Sequence, residues 1–333
     1  MGSKIILVTG GAGYIGSHVV RQLGEAGLRV IVLDDLSTGF RDAVLFGELI
    51  VGNVGDGDLL RRIFSEREID AVLHFAAHTE IPKSMAHPLA YYRNNTCNTR
   101  ILLENCLDAG IRHFIFSSSA AVYGVPDGAG IVAETAPTRP INPYGRSKLA
   151  TEWILRDLSL ASNLRYVTLR YFNVAGSDPE GRIGQSTPDA TLLIKVACEA
   201  ATGKRDSVTI FGVEHPTPDG TGVRDYLHVE DLARAHLDAL EYLWKSGDSI
   251  TLNCGYGHGY SVREVLDTVS RVNGKPLTIL EARPRPGDLP FLVAETKRIK
   301  DVLNWNPRYD DLDFIVSTSL AWENRLRSKA PWT

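Results

Sequence analysis

At 333 residues, with 44% apolar and 23% charged side chains, the chain exceeds the usual size of one domain and carries enough apolar surface for one large or two modest soluble cores. A formal charge of −4 gives nucleic acid or an anionic membrane no electrostatic reason to bind, and no apolar run is long enough for a signal peptide or a membrane span. Four scattered cysteines without a C-x-x-C pair and nine histidines without ligand spacing argue against disulfides and a metal, and for a reducing, cytoplasmic compartment.

In chain order, KIILVTG reads as a buried strand and SHVVRQLGEAG as a helix closed by Gly27. RVIVLDD is a second strand, DGDLLRRIFSER a helix and AVLHFAA a strand. A longer helix over YYRNNTCNTRILLENCLDAG leads to the strand HFIFSSS, then a helix through SKLATEWILRDLS and the strand RYVTLRYFN. From residue 176 to about 222 Gly, Pro and Asp crowd the chain, with one helix near 192–202 and the strand SVTIFG. HVEDLARAHLDALEYLW is a helix with acids in its first turn, SITLNCG a strand, and the pieces past residue 257 are short and proline-punctuated. Apolar strands alternating with amphipathic helices predict an α/β fold: a doubly wound parallel sheet, Rossmann-like, with a second, smaller α/β substrate-binding domain. The predicted division is 1–175 with 225–256 for the nucleotide-binding part and 176–224 with 257–333 for the smaller part.

The segment VTGGAGYIGSHVV joins the first strand to the first helix. Gly11, Gly13 and Gly16 satisfy G-x-G-x-x-G, and Gly10, Gly13 and Gly16 satisfy G-x-x-G-x-x-G. Glycines there permit positive φ, let backbone approach a pyrophosphate and let helix pack close to strand. The phosphates then lie at the helix N-terminus, among free N–H groups and the positive end of the helix dipole. Asp34 ends the second strand, where an acid accepts hydrogen bonds from the adenosine ribose and repels a 2′-phosphate, so NAD is predicted over NADP.

INPYGRSKLATEW, residues 141–153, places Tyr144 and Lys148 four residues apart. With twelve tyrosines in the chain, Y-x-x-x-K arises by accident about 0.4 times, so the spacing alone decides nothing. Its position does: Pro143 precedes the pair and Ser147 lies within it, after the fourth predicted strand of the sheet. Residues i and i+4 share a helical face, so a lysine ammonium lies beside the phenol. A tyrosine ionises near pH 10, and a nearby positive charge joined by an oxidised nicotinamide favours the phenolate as a base. The same lysine also suits the nicotinamide ribose.

The glycine turn, the serine run FSSSAAVYG (116–124) and the Tyr144/Lys148 pair together resemble the extended short-chain dehydrogenase/reductase superfamily. More narrowly the chain resembles the UDP-galactose (UDP-glucose) 4-epimerase family over nearly its whole length, through YYRNN, LRYFN, DGTGVRDYLHVEDLA and RPGDLP. The resemblance implies epimerisation at C4 of a UDP-hexose by transient oxidation to a 4-keto sugar on resident NAD. It assigns catalysis to Tyr144, Lys148 and Ser119, and cofactor contacts to Gly10, Gly13, Tyr14, Ile15, Gly16, Asp34, Asn53, Phe75, Ala76, Asn94 and Phe172 as well as to Tyr144 and Lys148. For the UDP-sugar it implies Ser119 and Tyr144 at the sugar, Asn173 at the diphosphate–sugar junction, Phe211 beside uracil, Arg224 and Arg285 on the diphosphate, Asp288 on the uridine ribose and Leu292 as a gate. The bland alternative for Arg285 and Asp288 is an ion pair with each other. A homodimer through the helix over 91–108 and the helix near Ser147 is also implied.

Departures from the family pattern carry their own expectations. Asn53 stands where relatives carry an acid, its amide oxygen left to accept from the adenine amine. Leu192 replaces a polar diphosphate contact, and Thr79 lacks the basic residue of some relatives, with Lys83 as the compensating cation. Leu292 stands at a gate where relatives carry either a bulky tyrosine or a small residue; being smaller than tyrosine, it predicts that 2-acetamido sugars also fit. Ala120 and Ala121 occupy the places where a 4,6-dehydratase needs an acid pair, which removes that chemistry. A UDP-pentose or UDP-uronate 4-epimerase is the nearer alternative, and a non-catalytic NAD-sensing protein the remote one.

Overall fold

The apolar runs read from the sequence fold as strands of one twisted sheet with helices between them. The computed structural model describes residues 4–126, 130–285 and 288–328. The chain begins β1 (Ile5–Thr9), α1 (Tyr14–Glu25), β2 (Arg29–Asp34), β3 (Glu48–Val51), α2 (Gly57–Glu66), β4 (Ala71–His74), α3 (Ile81–Ala86), α4 (Pro88–Tyr91), α5 (Asn98–Asp108) and β5 (His113–Ser117). It continues β6 (Ile131–Val132), α6 (Pro143–Ala161), β7 (Arg165–Tyr171), β8 (Asn173–Ala175), α7 (Leu193–Ala201), β9 (Val208–Phe211), β10 (Val223–Arg224), β11 (Tyr226–His228), α8 (Val229–Trp244) and β12 (Ile250–Cys254). Last come β13 (Tyr260–Ser261), α9 (Val262–Asn273), β14 (Ile279–Ala282), β15 (Phe291–Ala294), α10 (Lys297–Leu303) and α11 (Leu312–Ser328).

Seven strands pair in the order β12-β7-β5-β4-β1-β2-β3, every pair parallel. Alternation along the strands shows why both faces are covered. Ile6 and Val8 point into a core shared with Val19, Val20 and Leu23 of α1 and with α8, whereas Ile5 and Leu7 point into a second core with Leu60 of α2, Leu102 of α5 and Leu155 of α6. Strand order reverses beside β1, so the carboxyl ends of β1 and β4 flank the crevice where nucleotides bind such sheets. The first core runs on into α7, α9 and α11 through Ile194, Leu266 and Ile315, so the C-terminal helices close over the same apolar mass. The large sheet uses only strands from 1–175 and 225–256, while β13, β10 and β15 form a smaller sheet that β6 joins from the other side of the expected boundary.

Three local features depart from the sequence reading. The pattern does not single out β3, a four-residue edge strand whose side chains are only half buried. The single helix expected over 91–108 is interrupted: Tyr92–Cys97 widen into a π-turn between α4 and α5. And α6 starts at Pro143, four residues ahead of Ser147, because Asn142 caps it by accepting the Gly145 N–H at 2.8 Å and Pro143 suits the first helical position. That start puts Tyr144 inside the helix. The four cysteines are free, Cys97 exposed and the others buried.

Candidate active site

The glycine turn is built by close approach. Gly10 has φ of +73°, and a Cβ there would lie 2.5 Å from the Ala76 backbone nitrogen; a Cβ on Gly16 would lie 2.2 Å from the Gly10 carbonyl oxygen. Phe75 and Ala76 both donate their N–H to the Thr9 carbonyl, which draws the end of β4 against the turn. Gly13 precedes α1 with no side-chain cap, so the first N–H groups of that helix stay open to an anion. Asp34 is buried and accepts from the Ala12 N–H and the Leu36 N–H, both at 2.9 Å. Burial raises its carboxyl and those two bonds oppose the rise. Two of roughly four acceptor positions are thus used in shaping the turn, and the others suit ribose hydroxyls. Tyr14 and Ile15 begin α1 half buried; the Tyr14 hydroxyl donates to the Gly176 carbonyl at 2.6 Å, so it ties the turn to the loop after β8.

Asn53 is exposed and its amide oxygen already accepts from the Gly55 N–H at 2.8 Å and from Asn98 at 3.1 Å. An adenine amine would have to displace one of these bonds. Asn94, in the π-turn, makes only long bonds of 3.3 and 3.4 Å to Asn95 and Asn98. Its neighbour is the built-in residue: Asn95 is buried, holds both the N–H and the carbonyl of His78, and donates to the Ser147 hydroxyl of α6 at 3.0 Å. Nothing in YYRNN separates the two asparagines; the phase of the π-turn does.

Tyr144 and Lys148 are both buried on the first turns of α6. Ser119, just past β5, accepts from the Ala121 N–H at 3.2 Å, and its hydroxyl faces the Tyr144 phenol closely enough to favour the ionised form. The Lys148 ammonium donates to the Ser117 carbonyl at 2.8 Å and lies 5.0 Å from the Phe116 ring centre. So the three residues read as catalytic converge where β5 ends. The electrostatics differ from the expectation that Lys148 makes the phenol acidic. Burial is the dominant influence on Tyr144 and pushes its phenol up, opposed by the Ser119 hydroxyl. Burial likewise pulls the Lys148 ammonium down to about 7, opposed by Glu152. A site dry enough to strengthen a charge interaction also strips both charges of hydration.

The remaining assignments fall into two groups. Phe172 and Leu292 are buried together with Ala120, Val122 and Leu149, so the expected gate on β15 packs against the segment after Ser119. Phe211, Arg285 and Asp288 form the other: the Arg285 guanidinium stacks 4.6 Å from the Phe211 ring centre and donates to Asp288 at 3.1 Å. The ion pair weighed as the bland alternative is therefore present. Arg224 is half buried at the end of β10, donates to the Val223 carbonyl at 2.9 Å, and feels both Arg285 and Asp288. Asn173 opens β8, its backbone N–H bonded to the Asp225 carbonyl at 2.9 Å. The buried Asp225, absent from the sequence reading, accepts from the N–H groups of Tyr256, Gly257 and Ala294 and so fixes the strand end that carries Arg224. Leu192 precedes α7 without a side-chain cap bond. Lys83, expected to compensate for Thr79, pairs its ammonium with Glu80 at 2.6 Å on the surface.

With this geometry in hand, a model of the NAD dependent epimerase/dehydratase family matches residues 6–255. The chain belongs to that family. A UDP-glucose 4-epimerase of Azospirillum brasilense is 53% identical over 97% of this chain and 93% of its own length. The structure of UDP-glucose 4-epimerase from Brucella ovis in complex with NAD superposes with a TM-score of 0.93 at 41% identity, covering 96% of this chain and 98% of that one. The UDP-Glc/GlcNAc 4-epimerase of Campylobacter jejuni superposes with a TM-score of 0.86 at 45% identity, covering 97% and 100%. Family membership makes NAD the cofactor, and the chain's own residues fit it: an uncapped helix start behind a turn too tight for a side chain at Gly10 and Gly16, with a carboxylate at the end of the next strand.

Proposed function

We propose that the protein interconverts the C4 epimers of a UDP-hexose, UDP-glucose and UDP-galactose, with NAD as resident cofactor. The observation that carries this is the convergence of Tyr144, Lys148 and Ser119 at the end of β5, two strands from the glycine turn in the sheet order. Bound NAD would supply hydride transfer from and back to C4, and its oxidised ring would supply the positive charge that burial otherwise denies the phenolate. Tyr144 removes the proton from the C4 hydroxyl and later returns it to the same oxygen. Ser119 holds the phenol and, turned to the sugar, donates to the carbonyl oxygen of the 4-keto intermediate. Lys148, fixed on the Ser117 carbonyl and on the same helical face as Tyr144, is assigned to the nicotinamide ribose.

In this reading UDP is the handle that keeps the sugar in place while the ring turns over. Arg224 and Arg285 are assigned to the diphosphate, where a guanidinium fork matches phosphate oxygens. Phe211 takes uracil, Asp288 the uridine ribose and Asn173 the diphosphate–sugar junction. The test is a panel of UDP-sugars followed at C4. Turnover of UDP-pentose or UDP-uronate without UDP-hexose moves the reading to the alternative within the family, and absence of any reducible nicotinamide band on adding UDP-sugar leaves only a binding protein.

Leu292 bears on breadth. It is 8% exposed and packs beside Phe172, so its side chain bounds the space next to the catalytic segment. UDP-GlcNAc should be turned over at a rate comparable to UDP-glucose, and Leu292→Tyr should reduce the acetamido activity at least about 10-fold more than the UDP-glucose activity, as one steric group in a pocket separates substrates by 1–3 kcal/mol. No detectable UDP-GlcNAc turnover by the wild type would remove this reading.

We assign a homodimer to the face carrying α6. Trp153 and Leu160 lie seven residues apart on one stripe of that helix, 52% and 83% exposed, and α4, which packs on α6, carries the 81% exposed Leu89. Light scattering should give twice the chain mass of 36.6 kDa, falling to one chain in Trp153→Glu; a wild-type monomer at micromolar concentration would sink the assignment. Cytoplasmic location goes with four free thiols, and no helix among the described residues is long and apolar enough to cross a membrane.

A further inference from the structure

Tyr144, Lys148 and Glu152 recur every four residues and so share one face of α6. That face meets three consecutive serines at the carboxyl end of β5, and each helix residue takes a different one. Tyr144 faces the Ser119 hydroxyl, Lys148 donates to the Ser117 carbonyl at 2.8 Å, and the Ser118 hydroxyl donates to Glu152 at 2.5 Å. The first two contacts belong to the chemistry proposed above. The third has no place in it.

Glu152 is buried and fully partnered. Arg170 of β7 grips its carboxylate through Nε, at 3.0 and 3.2 Å from the two oxygens, and through a second nitrogen at 2.5 Å. Arg170 is itself held by the Tyr123 hydroxyl, which it reaches at 3.0 Å and which donates to Asn253 at 2.6 Å. A buried ion pair is a poor device for stability, because desolvation consumes most of what attraction returns. It is a good device for holding one geometry. Ser118 is where that is needed: its N–H reaches the Leu169 carbonyl at 2.9 Å as β5 ends, and the next residue already turns away as the cap of a short helical turn.

We propose that Glu152, clamped by Arg170, is a positioning residue of the active site: by anchoring Ser118 it sets the Ser117 carbonyl and the Ser119 hydroxyl in the register at which Lys148 and Tyr144 meet them. The proposal rests on the catalytic reading of those residues. Glu152 also acts on Lys148 through space. Tyr144 and Glu152 approach the ammonium from α6, Ser117 and the Phe116 ring from β5, and from β4 His74, which burial holds at about 3 and therefore uncharged. Glu152 is the anion that favours the charged lysine, so removing its charge lets the ammonium lose its proton at lower pH.

Two variants separate positioning from mere scaffolding. Ser118→Ala deletes the link and leaves the Glu152–Arg170 pair intact; kcat should fall about 10-fold with KM for the UDP-sugar unchanged, as expected of a small displacement of reacting groups. Glu152→Gln keeps an acceptor for Ser118 but not the charge; kcat should fall further, its alkaline limb should move to lower pH, and Glu152→Asp should restore the limb. Carbon-13 NMR of labelled lysine, with Lys148 assigned by its loss in Lys148→Arg, reads the same charge effect without turnover. The Lys148 midpoint should fall in Glu152→Gln by about 10-fold in protonation constant, whichever sugar the enzyme prefers. If Glu152→Gln does not fold, Ser118→Ala and Glu152→Asp carry the decision. Wild-type kcat in Ser118→Ala together with an unmoved Lys148 midpoint would overturn the proposal.

Discussion

Tyr144→Phe should lower kcat by about 10³–10⁴-fold while leaving UDP affinity within a factor of about 2 and the melting temperature within a few degrees. The asymmetry follows from what the substitution removes. The aromatic ring stays in the buried wall that it shares with α6, so no cavity opens. Only the hydroxyl goes, and with it the polar contact with Ser119, so the loss in stability should not exceed that of one hydrogen bond, about 1 kcal/mol. Ser119 keeps its bond from the Ala121 N–H and so its place. What cannot be replaced is the proton acceptor at C4: the neighbouring phenol of Tyr171 is itself pushed up by burial and stands on another element, β7. Calorimetric titration with UDP and exchange of the sugar C4 epimers measured by NMR decide the matter. Turnover within about 10-fold of wild type would remove Tyr144 from the chemistry and the proposed mechanism with it.

How much of this was written in the sequence depends on whether the signal was local. The large sheet was legible because each central strand is a continuous apolar run, and the helix between strands shows its own period; β3 escaped because a four-residue edge strand, with one half-buried residue on each face and both ends exposed, carries neither signature. The glycine turn was legible because φ and close approach leave only one residue type at Gly10. Tyr144, Lys148 and Ser119 were found by pattern and resemblance, and the fold brings them together. The balance of charge among them was not legible: the sequence places an ammonium four residues from a phenol, whereas the cost of burying both is a property of everything packed around them. Asn95 was missed for a different reason, since a π-turn changes which of two neighbouring asparagines faces inward. Glu152 had a readable signal, the third tooth of a four-residue spacing, but its partner Arg170 lies on another element, and only the fold joins them. The same limit applies to Phe211 at the end of β9 and the Arg285–Asp288 pair in the loop after β14, which meet only in space.

The second large effect is expected at the other end of the crevice. Gly10→Ala adds one methyl group, yet it should destabilise the protein by about 3 kcal/mol or more and strip it of bound NAD. Two costs add. An L-residue at a φ of +73° gives up about 1–2 kcal/mol to the contact between Cβ and its own carbonyl. The methyl would also stand 2.5 Å from the Ala76 nitrogen and 2.8 Å from the Phe75 carbonyl carbon. Those atoms are backbone, so no rotamer change relieves the clash, and overpacking of that kind costs about 1–3 kcal/mol more. Relief requires the end of β4 to move away from β1. That movement breaks the bonds of Phe75 and Ala76 to the Thr9 carbonyl and pulls Phe75 off the His236 ring, 4.7 Å away. It also reshapes the turn in front of α1, whose N–H groups must converge on one pyrophosphate. Gly13→Ala is the matched control: its φ is −78° and an added Cβ meets only the Gly10 oxygen at 3.3 Å, so stability should change by about 1 kcal/mol or less. Urea unfolding of both variants, with nucleotide released from the denatured protein measured by absorbance, separates the two positions. Equal stability and equal NAD content in Gly10→Ala would show that the turn tolerates a side chain, and the close-approach argument for the cofactor site would fail with it.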